Sequence, residues 1–174
     1  MTRRLLTVLA CAVVLICSGA QARPVGPSTL NCGFYAALDR RCGCGGRDHY
    51  FLDYGQRYCE RVVHATGWSP AGLRWRAHTL SCLKNELAQA LARSPHRCDC
   101  ARVRTLAFDS HVQCYTLKAA SVCALPLSDV RKIYQIIDTA DLIDPAGFKQ
   151  VLGVTLACVR QNGNAGARGD DPTQ

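Results

Sequence analysis

Apolar residues recur along this chain in steps of three and four, the period of a helix buried along one side. The clearest run is Leu73, Ala77, Leu80, Leu83, Leu87 and Leu91. Ser69-Pro70 stands before it, a capping hydroxyl followed by a residue whose fixed φ suits the first helical position, and Ser94-Pro95 stops it. Between Asp53 and Ala65 a second helix is predicted, with Tyr54, Tyr58 and Val62 on its inner side and an end near Gly67. Asp99 is placed to cap a third, carrying Val103, Leu106 and Val112. Ser128 opens a fourth with Val130, Ile133, Ile137 and Ala140. Asp144-Pro145 opens a last one with Phe148, Leu152, Leu156 and Val159, closed by Asn162-Gly163. Thr29 to Asp39 is a shorter candidate. No run alternates with period two between hairpin turns, so strands are not expected. The fold class is all-α, a disulfide-cross-linked helical bundle of five to six helices.

The ends of the chain follow a different grammar. Arg3 and Arg4 precede an apolar run from Leu5 to Ile16, and Ala20-Gln21-Ala22 forms a small-x-small cleavage signature. Residues 1–22 therefore read as a signal peptide, too short for a stable membrane anchor. Residues 23–28 read as a flexible lead-in, 29–162 as a single disulfide-rich helical domain, and 163–174 as a disordered tail rich in Gly, Asn and Asp. No later stretch approaches the length of apolar chain that spans a bilayer. The expected location is extracellular, by secretion. About 150 residues remain without the leader, enough to enclose a hydrophobic core.

Secretion changes the meaning of the cysteines. Cys32, Cys42, Cys44, Cys59, Cys82, Cys98, Cys100, Cys114, Cys123 and Cys158 lie beyond the leader, and in an oxidising compartment pairing is their default chemistry. Their number is even, but the sequence does not choose among the connectivities. Cys82 falls beside Leu80 and Leu83 and Cys158 beside Leu156 and Val159, positions expected to face one interior. Each bridge would contribute on the order of 2–4 kcal/mol by restricting the unfolded chain.

Charge adds one asymmetry. The formal net charge of +8 becomes +6 without Arg3 and Arg4, and residues 23–104 carry 13 Lys and Arg against 6 Asp and Glu. A basic half outside the cell suits an acidic receptor face or acidic glycans, with Arg57, Arg61, Arg74, Arg76 and Arg93 as the candidate partner-binding face. Nucleic acid is not an expected partner.

Several clusters invite a catalytic or metal reading. Cys42-Gly43-Cys44-Gly45-Gly46 followed by Asp48-His49 is similar to the calcium loop of secreted phospholipases, yet Arg57-Tyr58-Cys59-Glu60 stands where the following His-Asp pair would be needed. A tight turn pinned by disulfides explains the loop. His96-Arg97-Cys98-Asp99-Cys100 lacks the spacing of a zinc site and its second cysteine pair. Cys98 and Cys100 instead read as the start of a helix whose two thiols go to different partners. His49, His64, His78, His96 and His111 are scattered without a nucleophile elbow or an ordered triad signature. Asp138, Asp141 and Asp144 mark a helix junction, where capping and solvation account for them. Trp68 and Trp75 are expected in the core. No Asn-x-Ser/Thr sequon occurs beyond the leader. No catalytic residue, cofactor or metal is assigned, and the chain is read as not an enzyme.

The cysteine spacing resembles that of the stanniocalcins, secreted hormone-like proteins. The resemblance rests on Tyr58-Cys59-Glu60, Gly72, Trp75, Ser81-Cys82-Leu83-Lys84, Arg97-Cys98, Gln113-Cys114-Tyr115 and Val122-Cys123. The gaps of 16 residues from Cys82 to Cys98 and 35 from Cys123 to Cys158 agree as well, over roughly residues 34–160. It implies a disulfide-stabilised helical signalling protein that acts by protein–protein binding. Family members act as homodimers in calcium and phosphate homeostasis, and some inhibit an extracellular metalloprotease. It also implies that Cys82 joins a neighbouring helix, for instance at Cys98 or Cys114. The chain departs from the pattern in four places, one of them the absence of the family sequon beside the first cysteine. Ala37-Leu38-Asp39 stands where the family has Cys-Leu-Glu, Cys100 is an extra cysteine, and none follows Cys158 to link a dimer covalently. A homodimer here would be noncovalent. The alternative readings are a secreted disulfide-rich defence, effector or toxin-like protein and, third, a secreted calcium-dependent phospholipase.

Overall fold

The computed structural model of the chain describes residues 30–44, 49–93 and 98–169, the last six of them as backbone only. The expected leader and lead-in, the Gly45-Gly46 turn with Asp48, and the Ser94-Pro95 stop lie outside the described residues. Seven α-helices run through the described residues: α1 (Gly33–Cys42), α2 (Arg57–His64), α3 (Pro70–Ala92), α4 (Cys100–Tyr115), α5 (Leu127–Ile136), α6 (Thr139–Ile143) and α7 (Pro145–Gly169). There are no strands among them. None of these helices is long and apolar enough to cross a membrane. The all-α, cross-linked class is as expected.

Capping chemistry fixes the main helix starts. The Ser69 hydroxyl accepts from Gly72 N and Pro70 takes the first helical position of α3. The Asp99 carboxylate accepts from Arg102 N at the start of α4, and Asp144 Oδ2 accepts from Ala146 N at 3.0 Å to open α7. Before α2 the chain winds as a π-helix over Tyr50–Gln56. The wide turn puts positions five apart on one side, so Tyr50 and Gly55 both face inward with Phe51. Only glycine fits at 55, because a Cβ there would come within 2.7 Å of Tyr35 Cε1.

Two apolar clusters make the core. One gathers Tyr35, Leu38, Tyr50, Phe51, Leu80, Leu87, Leu91, Val103 and Ala107 around the α3–α4 hairpin. The other joins Trp68 and Trp75 to Ile133 on α5, so both tryptophans are core residues as expected. Trp75 Nε1 donates to the Tyr115 carbonyl at 3.3 Å and closes the open end of the hairpin.

All ten cysteines among the described residues pair with one another, as Cys32–Cys59, Cys42–Cys98, Cys44–Cys100, Cys82–Cys114 and Cys123–Cys158. Cys98 and Cys100 go to different partners, and those partners are neighbours. The two Cys-x-Cys segments therefore dock in parallel register and clamp the end of α1 to the start of α4.

Four expectations about the helices are corrected. In the first half of α3 the buried positions are Gly72, Trp75, Thr79 and Leu80, while Leu73 stays 44% exposed. The volume of Trp75 beside Trp68 sets the rotation of the helix there, and a leucine cannot outcompete it. The helix expected from Ser128 to Ala140 is two, α5 and α6, bent at Ile137-Asp138, where Ile137 adopts extended backbone. The stripe Phe148, Leu152, Leu156 and Val159 on α7 is outward-facing, at 60%, 49%, 48% and 65% exposure. The helix docks instead through its glycines. Gly153 lies against α4 so closely that a Cβ would come within 2.7 Å of Val112 Cγ2, and Gly147 lies against the backbone of Asp141. Close backbone approach gathers more contacts than a leucine could make across a wider gap. Nor does α7 close at Asn162-Gly163. It continues to Gly169, since Asn and Gly lower helix propensity without forbidding the conformation.

Candidate functional site

The densest polar arrangement lies where α2 meets the α5–α6 bend. Arg57, Tyr58 and Arg61 project from one side of α2 at i, i+1 and i+4. Arg57 Nη2 reaches Asp141 Oδ2 at 2.7 Å and Arg57 Nη1 reaches Asp138 Oδ2 at 3.1 Å. Arg61 Nη1 meets Asp138 Oδ1 at 2.7 Å and the Ile136 carbonyl at 3.0 Å. The Tyr58 hydroxyl donates to Asp141 Oδ2 and accepts from Asp138 N at 3.2 Å. Arg61 thus takes up a carbonyl that the bend has freed from its helix, and the bend is held by residues some 75 positions away in sequence. The Arg61 guanidinium also holds the Asp138 carboxyl below the usual carboxylate range. Burial, then the bond to Asp141, pushes the Tyr58 phenol up to about 12.

Beside this network opens a polar cleft of about 330 Å³ lined by His49, Asp53, Arg57, Arg104, Asp141 and Asp144. In it His49 Nδ1 sits 3.3 Å from Asp53 Oδ2, one helical turn apart. This His–Asp pair escaped the sequence reading, which looked for adjacent residues after the glycine loop. The i, i+4 spacing of His49 and Asp53 was its only signal. Asp53 is 74% exposed, so water competes for its carboxylate and the pair orients the imidazole only weakly. Among the described residues no group of three or more His, Cys, Asp or Glu side chains converges as a metal site.

Behind the junction lies an aromatic store of Tyr35, Tyr50, Tyr54, Phe108, His111 and Tyr115. His111 is buried, with Nδ1 2.6 Å from the Ala107 carbonyl, and burial pulls its pKa down to about 4. Burial raises Tyr35, Tyr50 and Tyr54, and pushes Tyr115 up to about 12. At the base of α3, Asp129 is fully enclosed and accepts from Ser69 N at 3.1 Å and from the Ser69 hydroxyl. One carboxylate on α5 thereby secures the start of the longest core helix.

The five arginines of the expected binding face do not gather into one patch. Arg57 and Arg61 are engaged with Asp138 and Asp141, and Arg76 donates to the Val63 carbonyl at 3.3 Å. Arg74 on α3 and Arg93 just past its end are exposed, about 28 Å apart along the helix axis. The acidic residues at the junction do more than cap: Asp138 and Asp141 bind arginines across the fold. Fold and site define a disulfide-cross-linked all-α protein with an internal ionic lock and a buried aromatic store. No protein-family model, curated protein or solved structure matches this chain.

Proposed function

We propose that the chain is a secreted, hormone-like signalling protein of the stanniocalcin kind, acting by binding an extracellular protein partner and without catalytic chemistry of its own. The observation that carries the reading is the bridge pattern. Cys82 on α3 joins Cys114 on the neighbouring α4, the kind of pairing the family resemblance implies. The remaining bridges tie the helices into a single cross-braced body, which suits persistence in an oxidising extracellular fluid. The ten cysteines of the described residues are consumed in bridges within the chain, so self-association of the secreted form, without its leader, rests on noncovalent contacts.

The test is binding of labelled, fully oxidised protein to epithelial cells, with calcium and phosphate uptake measured in parallel. Saturable binding displaced by unlabelled protein, with a change in ion uptake, is the expected result. Lysis of vesicles or cell killing without saturation would replace this reading with the effector one. Calcium-dependent hydrolysis of phospholipid, lost in His49→Ala, would replace it with an enzyme built on the His49–Asp53 pair.

A further inference from the structure

The clamp that joins α1 to α4 also gathers charge. Arg40 and Arg41 lie in the last turn of α1, within two residues of Cys42. Arg102 stands in the first turn of α4, about 3 Å along its axis from Cys100. Cα atoms are 5.2 Å apart across Cys42–Cys98 and 5.6 Å apart across Cys44–Cys100, so these arginines share one end of the fold. Arg93, just past α3, belongs to the same end, with four residues between it and Cys98. All four are exposed, and among the described residues no ion pair engages any of them. Arg57 and Arg61, by contrast, are taken up by aspartates. Arg104 stands at the margin and borders the polar cleft with Asp53 and Asp144.

Helix electrostatics account for only part of this cluster. Arg40 and Arg41 complement the negative end of the α1 macrodipole. Arg102 instead adds a cation to the positive end of α4, whose first turn holds no acidic residue. Asp39 and Asp99 are the nearest carboxylates in the chain, and Asp99 is occupied in capping α4. Positive charge left uncompensated within the chain is compensated by an anion lying across both helices. The two bridges fix the backbone that carries the arginines, which lowers the ordering cost of binding.

The surroundings of the cluster select the occupant. Seven of the ten exposed large apolar residues lie on α5, α6 and α7. Leu30 and Leu73 stand at the far ends of α1 and α3, which leaves only Leu106 on α4 near the clamp. Protein partners are anchored by buried aromatic and apolar side chains, and lipid surfaces by apolar insertion. The clamp end offers neither anchor. Its guanidinium forks suit oxyanions through paired N–H donors, and a polymer bearing them at intervals can meet charges set on separate helices. In the oxidising extracellular setting that the bridges suit, such polymers are sulfated polysaccharides.

We infer that the clamp end binds a sulfated polysaccharide, whose sulfate groups accept from Arg40, Arg41, Arg93 and Arg102. This surface is separate from the ionic lock, and it shares with the partner-binding reading only the extracellular setting.

The test uses the full oxidised protein on immobilised heparin. Desulfated heparin, which keeps its carboxylates, polyglutamate and phosphatidylserine vesicles supply the other anionic surfaces. Heparin should bind more tightly than all three, and its affinity should fall at least about tenfold between about 50 and about 200 mM NaCl as displaced counterions compete. Arg40→Gln with Arg41→Gln, and separately Arg93→Gln with Arg102→Gln, should each weaken heparin at least about fivefold. Lys118→Gln with Arg131→Gln removes the same charge from exposed positions elsewhere and should change it less than about twofold. No retention on heparin, equal binding by any of the other surfaces, or an equal loss in the Lys118 and Arg131 pair would each overturn the inference. Should a variant fail to fold, phenylglyoxal footprinting decides the matter on the unaltered protein. Protection of Arg40, Arg41, Arg93 and Arg102 by heparin supports the site, and protection confined to other arginines refutes it.

Discussion

Lowering the pH from 8 to 5 should unfold this protein more easily, and His111 should carry most of the difference. The imidazole is 4% exposed, stacked on Phe108 at 5.8 Å and edge-on to Tyr54 and Tyr115 at 6.2 and 5.5 Å. Its Nδ1–H donates to the Ala107 carbonyl. Its pKa falls from 6.5 to about 4 because burial penalises the charged form. The unfolded chain therefore binds a proton in this window that the folded chain refuses. The stabilisation is complete above pH 6.5 and is lost as pH falls towards 4. The shift corresponds to about 3 kcal/mol over the whole window, of which about 2 kcal/mol is lost by pH 5. Urea unfolding followed by the fluorescence of buried Trp68 and Trp75, with the bridges intact, measures it. At pH 5 the ionic lock is not yet affected, since the lowered Asp138 carboxyl gives up its contribution only below 3.8. His111→Phe should remove most of the difference between the two pH values. An equal loss in the variant, or a His111 pKa at or above 6.5 by proton NMR, would sink the argument.

Other outcomes follow from close contacts and bridge topology. Gly72→Ala should destabilise by about 1–3 kcal/mol in the same urea assay, because its Cβ would overlap the Asp129 carboxylate and lie 2.8 Å from Trp68 Cε3. An unchanged midpoint would show that the α3 start is looser than described. Once Cys42–Cys98 has formed, Cys44–Cys100 closes only a very short loop, so Cys44→Ser with Cys100→Ser should be less costly, about 2 kcal/mol, than removing Cys82–Cys114 at about 3–4 kcal/mol. The reverse ranking in denaturant would refute the clamp. In a spectrophotometric titration of the folded protein, Tyr35, Tyr50, Tyr54, Tyr58 and Tyr115 should remain un-ionised at pH 10.5, and the phenolate absorbance of these five should appear only when alkali unfolds the chain.

The candidate sites divide by how far apart their parts lie in sequence. His49 and Asp53 are four residues apart, and a search for helical spacing would have found them. The ionic lock sets Arg57, Tyr58 and Arg61 against Asp138 and Asp141 across some eighty residues, and nothing local announces it. The basic face was legible as a count of arginines but not as a surface, because pairing with distant aspartates neutralises part of it.

By itself, the chain determined its class and most of its punctuation. A helical period, Ser69-Pro70, Asp99 and Asp144-Pro145 act over three or four residues, and their hydrogen bonds form whatever the rest of the molecule does. Tertiary structure alone decided which side of each helix faces inward, where the helix after Ser128 bends, and which cysteines meet. Those outcomes depend on competition between distant groups: Trp75 against Leu73, Gly153 against Leu152 and Leu156, and Arg61 for the Ile136 carbonyl. An apolar stripe states a preference for burial, but close packing grants it only to the side that can approach its neighbour.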